Sequence, residues 1–147
     1  MRQHLFALAI LLTVGTARAD VIDIDNAELA RLQAAGVPVV DIRTAPEWQE
    51  TGIVPGSHLL TFFGDRGQAE PVPWLHRLQA IATPEQPVIL ICRSGNRTRT
   101  VSAFLSEKIG YSTVYNVKQG IRAWIKAGQP VDGATKAAST CAWASSC

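Results

Sequence analysis

The stretch Pro-Val-Ile-Leu-Ile-Cys-Arg-Ser-Gly-Asn-Arg, residues 87–97, joins an apolar run to a cysteine and a polar loop. The apolar residues 87–91 are typical of a strand that is buried on both faces of a sheet. Downstream, apolar side chains recur at helical spacing at Val101, Phe104, Leu105 and Ile109. Gly110 follows at the position where a residue with positive φ commonly ends a helix. The stretch therefore predicts a strand, a loop that begins at Cys92, and a helix.

The loop has the composition of a site for anions. A cysteine between the end of a strand and the start of a helix lies in a partial positive field, with backbone N–H groups free to point at it. Gly95 can adopt positive φ and turn those N–H groups inward as an anion nest. Arg93, Arg97 and Arg99 add positive charge, and no Asp or Glu occurs within residues 86–106. These features favour a thiolate and an anionic substrate.

Length and composition indicate one folded domain. The chain has 147 residues, of which 47% are hydrophobic and 18% are charged, as is typical of a globular protein. The formal net charge is +2, and the basic residues Arg2 and Arg18 lie in a segment that we expect to be removed. The remaining chain carries 12 basic and 12 acidic residues. This balance argues against nucleic acid or an anionic membrane as a partner.

The first nineteen residues have the pattern of a signal peptide. Arg2 and His4 form a polar, basic start, residues 5–14 are apolar except for one threonine, and Ala17-Arg18-Ala19 is an A-x-A cleavage site. Ten apolar residues are too few to span a bilayer, which takes roughly twenty. The alternative is an internal core helix starting at Leu5. We expect cleavage after Ala19 and a periplasmic or secreted protein with no membrane span after cleavage.

Strand and helix patterns alternate along the rest of the chain. Strands are predicted near residues 21–24, 37–40, 57–60, 87–91 and 111–117, and helices near 26–35, 46–50, 74–81, 97–109 and 121–125. This order predicts a single α/β domain, residues 20–131, with a mostly parallel, five-stranded sheet and helices on both faces. The Ala-, Ser-, Thr- and Gly-rich residues 132–147 are predicted to be a flexible tail. Ligands of such sheets bind beyond the carboxyl ends of the strands, which is where Cys92 falls.

Four segments, in the same order along the chain, resemble the single-domain rhodaneses, a family of sulfurtransferases. They are Asp41-Ile42-Arg43 with Glu47-Trp48, Pro55-Gly56-Ser57, the loop Cys92-Arg93-Ser94-Gly95-Asn96-Arg97, and Asn116-Val117 through Gly120-Ile121 and Trp124. The chain departs from the family pattern at three positions. Ile53 replaces a histidine, Thr98 a serine, and Gln119 the first of two glycines. We expect these changes to adjust packing and helix capping.

The resemblance implies a reaction and a set of site residues. Cys92 would attack the outer sulfur of a donor such as thiosulfate, release sulfite, and hold a persulfide that an acceptor thiol, or cyanide, then removes. Substrate binding would fall to Arg93, Ser94, Gly95, Asn96, Arg97 and Thr98. Asp41 and Arg43 would brace the loop. The partners would be a small anionic sulfur donor and a thiol acceptor, which includes a protein thiol, and no cofactor or metal is implied.

The arginines of the loop also have explanations that involve no substrate. Arg93 and Arg97 are suited to bind a dianion because guanidinium groups match oxyanions with paired hydrogen bonds. The alternative for both arginines is a salt bridge to the rim of the sheet, for example with Asp41 or Glu47. Arg99 is expected to face solvent.

Cys141 and Cys147 belong to the predicted tail. An exported chain with three cysteines is most economically explained by a Cys141–Cys147 disulfide that leaves Cys92 as the free thiol. A plain disordered end is an alternative, as is a resolving cysteine that reduces Cys92 or accepts its sulfur. A swinging terminal thiol at Cys147 is a further one.

Two rival functions are weighed against sulfur transfer. Cysteine phosphatases and arsenate reductases have loops that resemble H-C-x5-R, whereas here Ile91 precedes Cys92 and the arginine follows five places on, with Thr98 at six. The shorter loop favours sulfur over a larger oxyanion. The second rival is a sulfur carrier or docking module within a partner complex.

Overall fold

The computed structural model describes residues 20–134, in which five strands alternate with five helices. The strands are β1 (Asp20–Ile24), β2 (Val39–Asp41), β3 (His58–Leu59), β4 (Val88–Ile91) and β5 (Thr113–Val117). The helices are α1 (Asn26–Ala34), α2 (Ala45–Thr51), α3 (Pro71–Gln79), α4 (Asn96–Phe104) and α5 (Gly120–Lys126). The predicted signal peptide, Cys141 and Cys147 lie outside the described residues.

All five strands are parallel and lie in the order β1-β5-β4-β2-β3. β4 is the central strand, and each of its four apolar side chains is fully buried. The predicted fold class, a five-stranded parallel sheet, is therefore confirmed. Within residues 20–134, no helix is long and apolar enough to cross a membrane.

Side chains alternate between two cores on opposite faces of the sheet. One face packs against α3 and α4 and includes Val88, Leu90 and Cys92. The other face packs against α1 and α5 and includes Ile89 and Ile91. Helices thus cover both faces, and the alternation along β4 places Cys92 on the α4 side.

Helix boundaries follow local signals, with two differences from prediction. Asp25 caps α1 by accepting a hydrogen bond from the Glu28 N–H at 2.9 Å. α3 begins at Pro71, three residues before the first apolar residue used to predict it, because proline suits the first turn of a helix. The helix after Cys92 is not α-helical throughout, since Leu105–Ile109 forms a π-helical turn before Gly110, which has φ +88°.

Asp41 and Arg43 form a buried ion pair immediately after β2. Neither side chain is more than 1% exposed, and the Arg43 Nη2 lies 2.7 Å from the Asp41 Oδ2. The guanidinium also donates to the Thr51 Oγ1 at 2.7 Å and to the Gly52 carbonyl at 2.9 Å. The pair therefore braces α2 and the turn after it, and not the Cys92 loop directly as the sequence suggested.

Replacement of Arg43 by methionine is expected to lower the free energy of unfolding by about 3–5 kcal/mol, because it leaves the Asp41 carboxylate buried without its partner. Urea unfolding followed by circular dichroism measures this loss. The matched control is Arg31→Met, which removes an arginine from an exposed ion pair with Glu28 and is expected to keep the wild-type midpoint. A wild-type midpoint for Arg43→Met would contradict the bracing role.

Candidate active site

The Cys92 loop turns backbone N–H groups toward one sulfur atom. Cys92 directly follows β4 and is 1% exposed. Gly95 adopts φ +89°, as predicted, and its N–H donates to the Cys92 Sγ at 3.2 Å. This conformation is accessible to glycine because it lacks a Cβ. The loop therefore has the shape of an anion nest.

Thr98, in the first turn of α4, faces the same sulfur. Its side chain is fully buried, and its Oγ1 lies 3.5 Å from the Cys92 Sγ, where either group can donate. The Gly95 carbonyl lies 3.1 Å from the same hydroxyl and is a second acceptor for its single proton. Thr98 thus contacts both the sulfur and the loop. This contact goes beyond the adjustment of packing and helix capping that the sequence suggested for this position.

The pKa of the Cys92 thiol is set by two opposing effects. Burial raises the pKa because it penalises the charged thiolate. Hydrogen bonds from the Thr98 hydroxyl and from the backbone N–H groups of Thr98, Ser94 and Gly95 lower it, and together they outweigh burial. The net pKa lies below the ordinary value. The surroundings of Cys92 thus favour the nucleophilic thiolate form.

The outer side of the loop rests on the N-terminus of α5. The Ile121 N–H donates to the Cys92 carbonyl at 2.9 Å, and the Arg122 N–H donates to the Arg93 carbonyl at 3.3 Å. A Cβ on Gly120 would lie 2.5 Å from both of these carbonyl oxygens, and a Cβ on Gly95 would overlap the Lys118 carbonyl. Close contact between loop and helix therefore requires glycine at both positions.

The contribution of α5 was missed by the sequence analysis. In the sequence, Gly120 is recognisable only as part of the closing segment that resembles the rhodaneses. The available signal was a glycine directly before an amphipathic helix, a position where close backbone approach is common.

Arg97 is held by a carboxylate and is not free. Its guanidinium forms two hydrogen bonds to Glu47 of α2, with N–O distances of 2.8 and 2.5 Å. This is one of the two salt bridges considered from sequence, while Asp41 pairs with Arg43 instead. The Arg97 side chain remains 29% exposed, so solvent still reaches part of it.

The pKa of Glu47 is lowered to about 2. The hydrogen bond from Arg97 is the main cause, and it outweighs burial, which acts in the opposite direction. The Thr44 N–H adds a second hydrogen bond, at 3.1 Å. Glu47 therefore stays ionised well below neutral pH, where its ion pair with Arg97 is retained.

The remaining predicted site residues lie at the edges. Arg93, Ser94, Asn96 and Arg99 are exposed. Among residues 20–134, no carboxylate forms an ion pair with Arg93. No group of three or more His, Cys, Asp or Glu side chains in this part of the chain could hold a metal ion. The structure thus gathers Cys92, Gly95 and Thr98 and leaves the other loop side chains at the surface.

Of the remaining departures from the rhodanese pattern, neither lies beside the sulfur. Ile53, which replaces the family's histidine, is 1% exposed, and its N–H donates to the Asp132 carbonyl at 2.9 Å. Its side chain packs beside Trp48. Gln119 is the residue before the first turn of α5. Ile53 therefore serves packing, as expected from sequence, whereas Gln119 occupies the N-cap position of α5 but makes no side-chain capping hydrogen bond.

Replacement of Glu47 by glutamine is expected to make the free energy of unfolding depend less on pH under acid conditions. Because the pKa of Glu47 lies below its ordinary value of 4.5, its contribution to stability is full above about pH 5 and is lost as pH falls toward about 2. Urea midpoints measured from pH 7 down to pH 2 test this. Glu50→Gln, on the exposed side of the same helix, should follow the wild-type slope, and an equal slope for Glu47→Gln would contradict the interpretation.

Comparison with known proteins gives one consistent family. The sequence model described as "Rhodanese-like domain" matches residues 25–127. "Thiosulfate sulfurtransferase GlpE" of Actinobacillus succinogenes is 42% identical over 50 residues, which are 34% of this chain and 44% of that protein. "Sulfurtransferase" of Allochromatium vinosum is 30% identical over 111 residues, 74% of this chain and 92% of that protein.

A solved structure shows the same fold. The crystal structure of Rv0390 from M. tuberculosis superposes with a TM-score of 0.63 at 20% identity, and the match covers 78% of this chain and 98% of that one. The family model covers most of the sequence, and the parallel sheet and the loop at Cys92 are those expected from the resemblance. The chain belongs to the rhodanese-like domain family.

Proposed function

We propose that this protein is a sulfurtransferase that carries sulfane sulfur on Cys92 as a persulfide, with thiosulfate or a similar anion as donor and a thiol or cyanide as acceptor. The observation that carries the proposal is the geometry at Cys92. A buried thiol with a lowered pKa receives the Gly95 N–H at 3.2 Å and contacts the Thr98 hydroxyl. The sulfurtransferase names of the relatives from Actinobacillus and Allochromatium support it.

The first half-reaction loads the enzyme. The Cys92 thiolate attacks the outer sulfur of thiosulfate, the S–S bond of the donor breaks, and its electron pair leaves with sulfite. The new Sγ–S bond gives a persulfide, whose outer sulfur carries the negative charge. Backbone N–H donors of the loop surround the Cys92 Sγ, next to this outer sulfur, and are fixed before the reaction, as stabilisation of an anion requires.

The second half-reaction returns the enzyme to its starting state. An acceptor thiolate, or cyanide, attacks the outer sulfur of the persulfide, and the Sγ–S bond breaks. The electron pair remains on Cys92 as the thiolate that the loop already stabilises. No general base is needed beside Cys92, since the leaving group is this stabilised thiolate.

Electrostatics around the loop suit a dianionic donor. Arg93 has no ion-pair partner among residues 20–134 and is exposed, so its guanidinium is available to bind oxyanions. Arg97 contributes a fixed positive charge whose position is set by Glu47. We therefore assign donor binding to Arg93 and to the loop N–H groups. Arg97 contributes only through its positive charge.

The Arg97–Glu47 ion pair weighs against phosphatase or arsenate reductase activity. Those reactions require an arginine that clamps the oxyanion with two hydrogen bonds, whereas both donors of the Arg97 guanidinium that face Glu47 are already in use. The loop is also one residue shorter than the H-C-x5-R pattern. Both observations favour a substrate attacked at sulfur.

Thiosulfate is expected to add one sulfur atom to the protein through Cys92. The measurement is the intact mass of the purified protein, without reductant, before and after thiosulfate, with Cys92→Ala as control. A gain on the wild type that is absent from the variant and reversed by cyanide, with thiocyanate released, supports transfer through Cys92. No gain would contradict the proposal and favour a carrier or docking module.

Replacement of Thr98 by valine is expected to raise the pKa of Cys92. The change removes a hydroxyl that stabilises the thiolate and keeps the side-chain volume, so the pKa of the thiol should rise. The rate of Cys92 alkylation by iodoacetamide, measured against pH, reports the shift. Thr100→Val, at an exposed position of the same helix, is the control. A Thr98→Val curve that overlays the wild-type curve would show that the hydroxyl does not tune the thiol.

A further inference from the structure

A groove lies beside the Cys92 loop, along the first turns of α5. It has a volume of about 480 Å³ and is lined by Ser94, Gln119, Arg122, Ala123 and Lys126. This volume lies within the range of about 300–1,000 Å³ that is common for small-molecule sites. None of these residues has a role in the transfer steps described above, apart from the Ser94 N–H.

The groove is positively charged and lacks compensating acids. Arg122 and Lys126 are four residues apart, so their side chains lie on the same face of α5, one turn from each other. No carboxylate among residues 20–134 forms an ion pair with either side chain. Within residues 108–131 the sequence contains no Asp or Glu. The groove is therefore suited to a ligand with negative charges.

The groove is held at a fixed position relative to the nucleophile. The N–H groups of Ile121 and Arg122 bind the carbonyls of Cys92 and Arg93, which fastens α5 to the loop. Ser94 belongs to both regions, because it lines the groove and its N–H contributes to the surroundings of the sulfur. A molecule in the groove thus lies next to the loop.

The charge of the groove and its place beside the loop favour one kind of ligand. In thiosulfate the charged oxygens are only two bonds from the transferred sulfur, so the loop alone suffices to bind it. The groove suits a substrate whose carboxylates are several bonds from its sulfur. Cys92 is 1% exposed, which favours a small flexible thiol over a cysteine fixed on the surface of a folded protein.

We propose that this groove is the binding site for the acceptor, and that the acceptor is a small peptide-like thiol whose carboxylates bind Arg122 and Lys126. The inference rests on the proposed sulfurtransferase function. The acceptor thiolate attacks the outer sulfur of the Cys92 persulfide, the Sγ–S bond breaks with its electron pair left on Cys92, and the acceptor departs as a persulfide. Arg122 and Lys126 determine acceptor specificity and take no part in bond making.

The test compares a charged and an uncharged acceptor, with glutathione and 2-mercaptoethanol as probes and thiosulfate as donor. The double variant Arg122→Ala/Lys126→Ala is expected to lower the ratio of kcat/KM for glutathione to kcat/KM for 2-mercaptoethanol about tenfold, which corresponds to about 1.4 kcal/mol, mainly through KM. The control Arg77→Ala/Lys108→Ala removes the same two charges from exposed positions elsewhere and should keep the wild-type ratio. Added salt should reduce the wild-type ratio toward that of the variant.

Binding of S-methylglutathione, measured by calorimetry, separates this inference from the proposed function, because the blocked sulfur cannot react. Binding that is lost in Arg122→Ala/Lys126→Ala supports the groove even if Cys92 fails to load from thiosulfate. Loading of Cys92 with an unchanged acceptor ratio overturns the groove and leaves the sulfurtransferase proposal standing. Slower transfer to a folded acidic thiol protein, with glutathione unaffected, would assign the groove to a protein and overturn the small-thiol acceptor.

Discussion

The structure depends on one constraint, which is that a short loop must direct its backbone N–H groups at a single sulfur atom. Peptide groups that point N–H inward on one side of a tight turn leave carbonyls on the other side, and buried carbonyls need donors. The N-terminus of a helix has unpaired N–H groups by construction. In this chain the N–H groups of Ile121 and Arg122 bind the carbonyls of Cys92 and Arg93. The last helix is therefore part of the site, although it provides no group that touches the sulfur.

A second set of interactions controls charge around the loop. The buried Asp41–Arg43 pair fixes α2 and the turn after it, and α2 presents Glu47 to Arg97. Arg97 thus has a fixed position and a fixed charge. Arg93 is left without an ion-pair partner among residues 20–134. The packing of α2 therefore leaves one of the two arginines held by Glu47 and the other exposed.

Sequence alone predicted the features that depend on neighbouring residues. The buried run before Cys92 and the positive φ of Gly95 were both predictable, because strand burial and glycine conformation are local. The partner of Arg97 lies 50 residues away in the chain, so sequence could offer Asp41 and Glu47 as alternatives without deciding between them. The packing of Gly120 against the loop was missed for the same reason, since only tertiary structure brings α5 to Cys92.

The alternation of side chains along β4 has a consequence for how such a domain can change over time. Val88, Leu90 and Cys92 share one face, so inserting or deleting a single residue upstream of the cysteine would move the thiol to the opposite core and abolish the site. Downstream, the exposed Ser94 and Asn96 lie outside both cores. Substitutions downstream of Cys92, whether natural or introduced in the laboratory, can therefore change selectivity. The number of residues in the strand before Cys92 has to stay the same.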